Sequence, residues 1–281
     1  MIKKIGFIGA GNMGGALIRG LAPREDLEIH AFDLDQEKIN NLAQNIEFTS
    51  WQSITDLIEH SDYIVLAVKP QVLKDVVREI KDHLNEKKCL ISIAAGIKLK
   101  NLIKWSNNIC PVVRVMPNTP ALVGKGVFAL CFDHDLTQNI DQNFITSLFA
   151  TLGEVHILKE EYFDIFTALV GSGPAYVFYL LDSFIDAGLT FGLPRDMARK
   201  MVYALFEGSM HMVQNSSDRH LAELKEMVTS PGGTTIAGLN KLDQKAVKAA
   251  IIEAVEAACK RSKEIGGLNS LVGACDGLHL G

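Results

Sequence analysis

The sequence predicts an α/β domain, doubly wound with a mainly parallel sheet, followed by an all-helical domain. Three observations carry this reading. Short β-branched runs alternate with longer amphipathic stretches as far as Leu158. A glycine-spaced loop separates the first such run from the first amphipathic stretch. Beyond Glu160 convincing strands cease and helical periodicities take over, which divides the chain into residues 1–159 and 160–281. Alternating strands and helices imply right-handed crossovers and a parallel sheet covered on both faces.

Lys4 to Ile8 reads as a fully buried strand and Asn12 to Leu21 as the helix after it. Leu27 to Phe32 is the second strand, followed by a helix from Asp35. Tyr63 to Val68, Leu90 to Ala94 and Val112 to Met116 are further apolar runs of strand length, separated by helical stretches such as Val72 to Leu84. Gly126 to Phe132, a helix from Thr137, and Val155 to Leu158 extend the sheet. In the second part, helical spacing marks Tyr162 to Leu181, Arg195 to Val213, Leu221 to Val228, Ile236 to Leu242 and Gln244 to Ile265. Gly192 and Pro194 punctuate the first pair, and Gly266-Gly267 is expected to end the last helix.

Composition narrows the function classes. With 48% hydrophobic residues the 281-residue chain can bury a sizeable core. A formal charge of -5 without any basic block argues against a nucleic-acid surface. The longest uncharged apolar run, Ile165 to Leu181, is interrupted by Gly171-Ser172-Gly173-Pro174 and is expected to fall short of a membrane span. Met1-Ile2-Lys3-Lys4-Ile5 runs too quickly into glycines to be a signal peptide. Cys89, Cys110, Cys131, Cys259 and Cys275 are scattered without CxxC spacing, and the eight histidines form no cluster. That pattern suits free thiols in a cytoplasmic protein without disulfides or a metal.

Ile8-Gly9-Ala10-Gly11-Asn12-Met13-Gly14 has the GxGxxG spacing between a buried strand and a helix. Asp33 closes the second strand, nineteen residues after Gly14. That context points to a dinucleotide: glycines for a tight turn, for backbone approach to the diphosphate and for helix–strand packing, with the helix N-terminus supplying N–H groups. A carboxylate at Asp33 can accept hydrogen bonds from a ribose diol and repels a 2′-phosphate. Lys38 is the nearest cation, so NADH is expected to serve at least as well as NADPH. Asp35 reads as the cap of the following helix.

Later strands end in loops of unusual composition, where doubly wound sheets bind ligands. Val68-Lys69-Pro70-Gln71 sets a proline at a helix start. Ala94-Ala95-Gly96 has residues small enough for a flat ring to lie near the backbone. Arg114 to Pro120 packs two prolines around polar residues including Asn118, with Arg114 read as a structural ion-pair partner. Lys69 suits either a phosphate or solvent. In the helical part, Ser230-Pro231 reads as a helix entry, and Gly232-Gly233-Thr234-Thr235 offers N–H groups and hydroxyls that suit a carboxylate, or an ordinary connector. Gly171 to Tyr176 interrupts a helical pattern, as close approach by another helix or a cofactor would require.

Together these motifs resemble the pyrroline-5-carboxylate reductase family, above all in Val228-Thr229-Ser230-Pro231-Gly232-Gly233-Thr234-Thr235-Ile236-Ala237-Gly238-Leu239. The resemblance covers nearly the whole chain and implies a Rossmann-type domain followed by a helical dimerisation domain. It implies a homodimer, often assembled further into decamers, with an active site that joins the cofactor to helical-domain residues of the pair. It implies that Val68, Lys69, Pro70, Gln71, Ala94, Ala95, Gly96 and Asn118 bind the cofactor, chiefly its nicotinamide side. Gly232, Gly233 and Thr234 would hold the substrate, aided by Ser230, with Thr235 nearest its ring nitrogen. Asp33-Leu34-Asp35 departs from the Asn, Ser or Arg that many members carry there. The implied reaction gives L-proline from (S)-1-pyrroline-5-carboxylate. Two rivals stay open: a β-hydroxyacid-dehydrogenase-like enzyme, whose catalytic lysine would have to be Lys200 or Lys225, and a non-catalytic dinucleotide sensor.

Overall fold

The computed structural model describes residues 2–132, 141–216 and 218–275. Contacts divide the chain into two compact units, one holding the residues up to Ser172 together with those from Ala258, the other Gly173–Ala257. Compaction therefore does not follow the composition change at residue 160. The reason is packing: Phe163 and Phe166 sit in the core of the first unit, and Asp164 accepts a 2.7 Å hydrogen bond from Ser262 Oγ.

The first unit is built on an eight-stranded sheet of order β3-β2-β1-β4-β5-β6-β7-β8. Its elements are β1 (Lys3–Ile8), α1 (Asn12–Leu21), β2 (Leu27–Phe32), α2 (Gln36–Ala43), β3 (Thr49–Ser50), α3 (Ile54–Glu59) and β4 (Tyr63–Leu66). They continue as α4 (Pro70–Ile80), β5 (Cys89–Ser92), α5 (Leu99–Trp105), β6 (Val112–Met116), β7 (Gly126–Phe132), α6 (Gln142–Ala150) and β8 (Gly153–Ile157). All pairings are parallel except β6 with β7. The expected helix start at Thr137 lies outside the described residues; α6 begins at Gln142, its first turn capped by Asp141. Two apolar layers cover the sheet, and strand alternation sorts residues between them. Phe7 joins Leu17, Ile18 and Phe149 on one face, and Ile8 joins Leu57, Leu73 and Phe163 on the other.

Beyond β8 come α7 (Phe163–Phe166) and a π-helical turn at Thr167–Gly171. That turn lets the helical course continue through the glycines. The run Glu160–Thr190 is consequently long and apolar enough, by length and composition, to cross a membrane, contrary to the expectation that its glycines would leave it short. A Cβ at Gly171 would stand 2.9 Å from Met116 Cε, so the movable end of that methionine would have to shift to admit it.

The second unit comprises α8 (Gly173–Thr190), α9 (Arg195–Gln214), α10 (Leu221–Met227), α11 (Thr234–Gln244) and the first part of α12 (Val247–Cys275). Its own core is small: Ile185, Ala198 and Val202, with Leu181, Leu189 and Phe206 against them. Gly266-Gly267 does not end α12. Gly266 is needed inside the helix because a Cβ there would meet the Gly96 carbonyl oxygen at 2.9 Å.

Candidate active site

β1 lies where the strand order reverses, with β2 on one side and β4 on the other, so a crevice opens beyond its carboxyl end. Gly9 takes φ +104°, and its N–H bonds the Phe32 carbonyl at 2.8 Å. A Cβ on Gly14 would strike the Gly9 carbonyl oxygen, so this glycine permits α1 to start against the strand. Gly11 differs: a Cβ there would meet nothing within 4 Å. Open space above the loop is what an approaching diphosphate needs. α1 has no side-chain cap, which leaves the N–H groups of its first turn, at Asn12 and Met13, for such a ligand.

Asp33 stands beside that loop and is only 11% exposed. Its carboxylate accepts 2.7 Å and 2.9 Å hydrogen bonds from the backbone N–H groups of Ala10 and Asp35. Burial pushes its pKa up, but those two N–H groups and Lys38 outweigh burial and hold it below the usual carboxylate range. Lys38 Nζ lies 3.4 Å from Asp33 and 3.4 Å from Asp35. Asp35 also caps α2, accepting from the Glu37 N–H. The cation beside Asp33 is thus shared by two carboxylates.

A cavity of about 220 Å³ opens next to Asp33, lined by Ile8, Gly9, Leu34, Ile54, Val68 and Val72 among others. Its walls are mostly apolar, as an adenine ring requires. Sequence reasoning missed Leu34, Ile54, Val72, Val76 and Glu79 here. The last three recur on one face of α4, a signal that spacing from the Val68 loop could have exposed.

The other expected residues divide by environment. Val68 joins this cavity, Lys69 is exposed at the N-cap of α4, and Pro70 opens that helix with Gln71 exposed beside it. Ala94 and Gly96 are buried and Ala95 is half-buried. Gly96, at φ +75°, is shaped by α12, because a Cβ would stand 2.8 Å from Ile265 Cγ2. Asn118 is buried and committed to the protein: Oδ1 accepts from the Val127 N–H at 2.9 Å and Nδ2 donates to the Val170 carbonyl at 3.2 Å. Arg114 is the expected ion-pair partner, 2.9 Å from Glu160 Oε1 and only 3% exposed.

In the second unit, Ser230 to Gly233 form a turn rather than the expected helix entry at Pro231. The Gly233 N–H bonds the Ser230 carbonyl at 3.1 Å, and Gly232 takes φ +70°. Pro followed by a positive-φ glycine is the type II turn pattern. Helix α11 then starts at Thr234 with Gly233 as an N-cap that offers no side chain. The first N–H groups of α11 therefore lack intrahelical acceptors at Thr234, Thr235 and Ile236. Thr235 is half-buried, while Ser230 and Thr234 are exposed, as are Lys200 and Lys225.

Residues 160–265 match the family model described as pyrroline-5-carboxylate reductase dimerisation, and residues 4–96 match one described as NADP oxidoreductase, coenzyme F420-dependent. The chain is 39% identical to the pyrroline-5-carboxylate reductase of Glycine max over 93% of its own length and 95% of that protein. It is 34% identical to that of Escherichia coli, covering 94% of this chain and 99% of the relative. A crystal structure of the Plasmodium falciparum pyrroline carboxylate reductase with NADP bound superposes with a TM-score of 0.84. The two are 36% identical, and the match covers 94% of this chain and 98% of that one.

Proposed function

The chain belongs to the pyrroline-5-carboxylate reductase family, and from that membership we propose that it reduces the C=N bond of (S)-1-pyrroline-5-carboxylate to give L-proline. The observation that carries the reading is near-complete coverage by these relatives, in a chain that keeps both the open glycine loop and the uncapped start of α11. When bound, the nicotinamide dinucleotide supplies the hydride. Gly9, Ala10 and Gly11 with the first turn of α1 hold its diphosphate, Asp33 its ribose, Val68 lines the cavity beside Asp33, and the Ala94–Gly96 loop flanks the nicotinamide side. The N–H groups at the start of α11, from Thr234 onward, fix the substrate carboxylate, aided by Ser230 and by the turn at Gly232 and Gly233 that leaves them open. The Thr235 hydroxyl hydrogen-bonds the imine nitrogen. A hydroxyl is too weak an acid to act alone, so it orients while solvent or a pre-protonated iminium provides the proton.

NADH serves at least as well as NADPH in this reading, because a 2′-phosphate would meet Asp33 and Asp35 with Lys38 already shared between them. The NADP reported for the Plasmodium relative is the observation on the other side. The protein pairs as a homodimer through its dimerisation segment, with a decamer as the larger assembly, and works in the cytoplasm, where its buried thiols Cys89, Cys110 and Cys131 stay reduced. The apolar run Glu160–Thr190 lies within that segment, which favours subunit pairing over a bilayer as its role. Following NADH and NADPH absorbance with pyrroline-5-carboxylate tests the reaction and the cofactor choice. Consumption of neither cofactor would overturn the reaction, and a large NADPH advantage in kcat/KM would overturn the cofactor choice.

A further inference from the structure

The loop between β5 and α5 is held at its far end by a residue from a distant part of the chain. The Leu99 N–H, the first of α5, donates a 2.6 Å hydrogen bond to Glu160 Oε1, 61 positions later in sequence. Lys98 at the N-cap offers no side-chain cap, so this helix end depends on Glu160. The same oxygen accepts from Arg114 Nη1 at 2.9 Å, and the buried guanidinium lies 4.5 Å from the centre of the Phe163 ring. A carboxylate that pairs with a buried arginine has little freedom to move. At the middle of the loop, Gly96 is seated against Ile265 and Gly266 of α12, and Ser262 of that helix is tied to Asp164. The loop is thus clasped by the Glu160–Phe166 segment directly and through α12.

We propose that Glu160 is a positioning residue for the nicotinamide side of the cofactor, fixing the Ala94–Gly96 loop through the Leu99 N–H. This rests on the reading above that the loop flanks that side. Glu160 touches neither substrate nor hydride donor; its effect is to choose one loop conformation, so that ring binding does not have to order the loop.

Calorimetric titration of the full-length protein with NADH and with ADP-ribose, which lacks the ring, separates the possibilities. Glu160→Ala should weaken NADH about tenfold, equivalent to about 1.4 kcal/mol, and leave ADP-ribose within about twofold of wild type. Glu160→Gln keeps an acceptor for the Leu99 N–H and should recover most of the NADH affinity. Equal loss of both ligands, no loss of either, or no rescue by Gln would overturn the proposal. Ala95→Leu tests the premise separately by crowding the loop itself. If it leaves the NADH to ADP-ribose ratio unchanged, the site reading falls and the proposal with it. If it shifts the ratio while Glu160→Ala does not, only the proposal falls.

Discussion

The first glycine loop makes two different demands, and a pair of alanine substitutions should separate them. At Gly14 a new Cβ would overlap the Gly9 carbonyl oxygen and stand 3.0 Å from Ala67 Cβ. Neither neighbour can yield easily. Gly9 is tied through its N–H to Phe32, and Ala67 through its own to Ile8, both at 2.8 Å. Alanine in a helix gains about 1 kcal/mol over glycine, but overpacking costs about 1–3 kcal/mol. Contact with fixed backbone rather than a flexible side chain favours the upper end. The net loss is about 1–2 kcal/mol, or a Tm fall of about 2–8 °C for a chain of this size. At Gly11 the Cβ enters open space, and φ -67°, ψ -167° suits alanine. There the weaker N-cap and the reduced unfolded-state entropy roughly cancel, each on the order of 0.5–1 kcal/mol. Gly11→Ala should keep the wild-type Tm and weaken NADH about tenfold or more, because the methyl occupies the diphosphate approach. Circular-dichroism melts without ligand and NADH fluorescence titrations give the two numbers. A Gly14→Ala protein that melts with wild type would refute the argument. So would a Gly11→Ala protein that loses stability yet binds NADH normally.

Thr235→Ala should lower kcat clearly with little change in cofactor affinity, and steady-state kinetics showing unaltered turnover would remove Thr235 from the chemistry. Arg114→Leu should cost about 3 kcal/mol by denaturant titration, the low end for breaking a buried pair, because Glu160 stays 29% exposed to water; a variant as stable as wild type would show the pair to be dispensable. His30 is 2% exposed, and burial, against the pull of Glu28, lowers its pKa below the ordinary 6.5. The unfolded chain therefore takes the proton first, and this contribution to stability, complete above pH 6.5, is lost as pH falls toward the lowered value. His30→Gln keeps an acceptor for the Trp51 indole N–H, which His30 Nδ1 now accepts at 3.0 Å, and should flatten the dependence of Tm on pH just below 6.5; an unchanged slope would assign it to other groups.

What was legible in the sequence is what short-range pattern controls. Asn12–Leu21, Leu27–Phe32 and Val112–Met116 have the bounds their periodicity gives, because caps, glycines and apolar spacing are local. The direction of β7 is not written in its own residues, since a buried run looks the same either way. The connection from Met116 to Gly126 decides it: it is taken up by a 3-10 turn at Thr119–Val123, too short for a crossover helix. β3 escaped notice because two exposed residues, Thr49 and Ser50, carry no pattern. Gly266 reads locally as a helix stop, and the helix runs through it for a tertiary reason, its contact with Gly96. Asp33 reads in the sequence as a candidate cofactor residue, but its bond to the Ala10 N–H joins positions that only the fold brings together. The same holds for Glu160 and Leu99.

The second unit poses a problem that its own packing does not solve. Among the described residues only Ile185, Ala198 and Val202 form its buried core, while Phe178 is 62% exposed, Tyr179 74% and Phe191 89%. Met201, Tyr203 and Leu205 add to that surface. Soluble monomers rarely expose a contiguous apolar patch of more than a few hundred Å², on the order of 300–600 Å². Self-association would resolve the conflict, and residues 160–265 match a family described by its dimerisation. If so, the helices of this unit owe their stability to a second copy, and unfolding is linked to dissociation. Tm should then rise with protein concentration, and Phe178→Asp should yield smaller species in sedimentation together with a lower Tm. A Tm that stays constant on about a hundredfold dilution would mean that the exposed residues are tolerated without a partner.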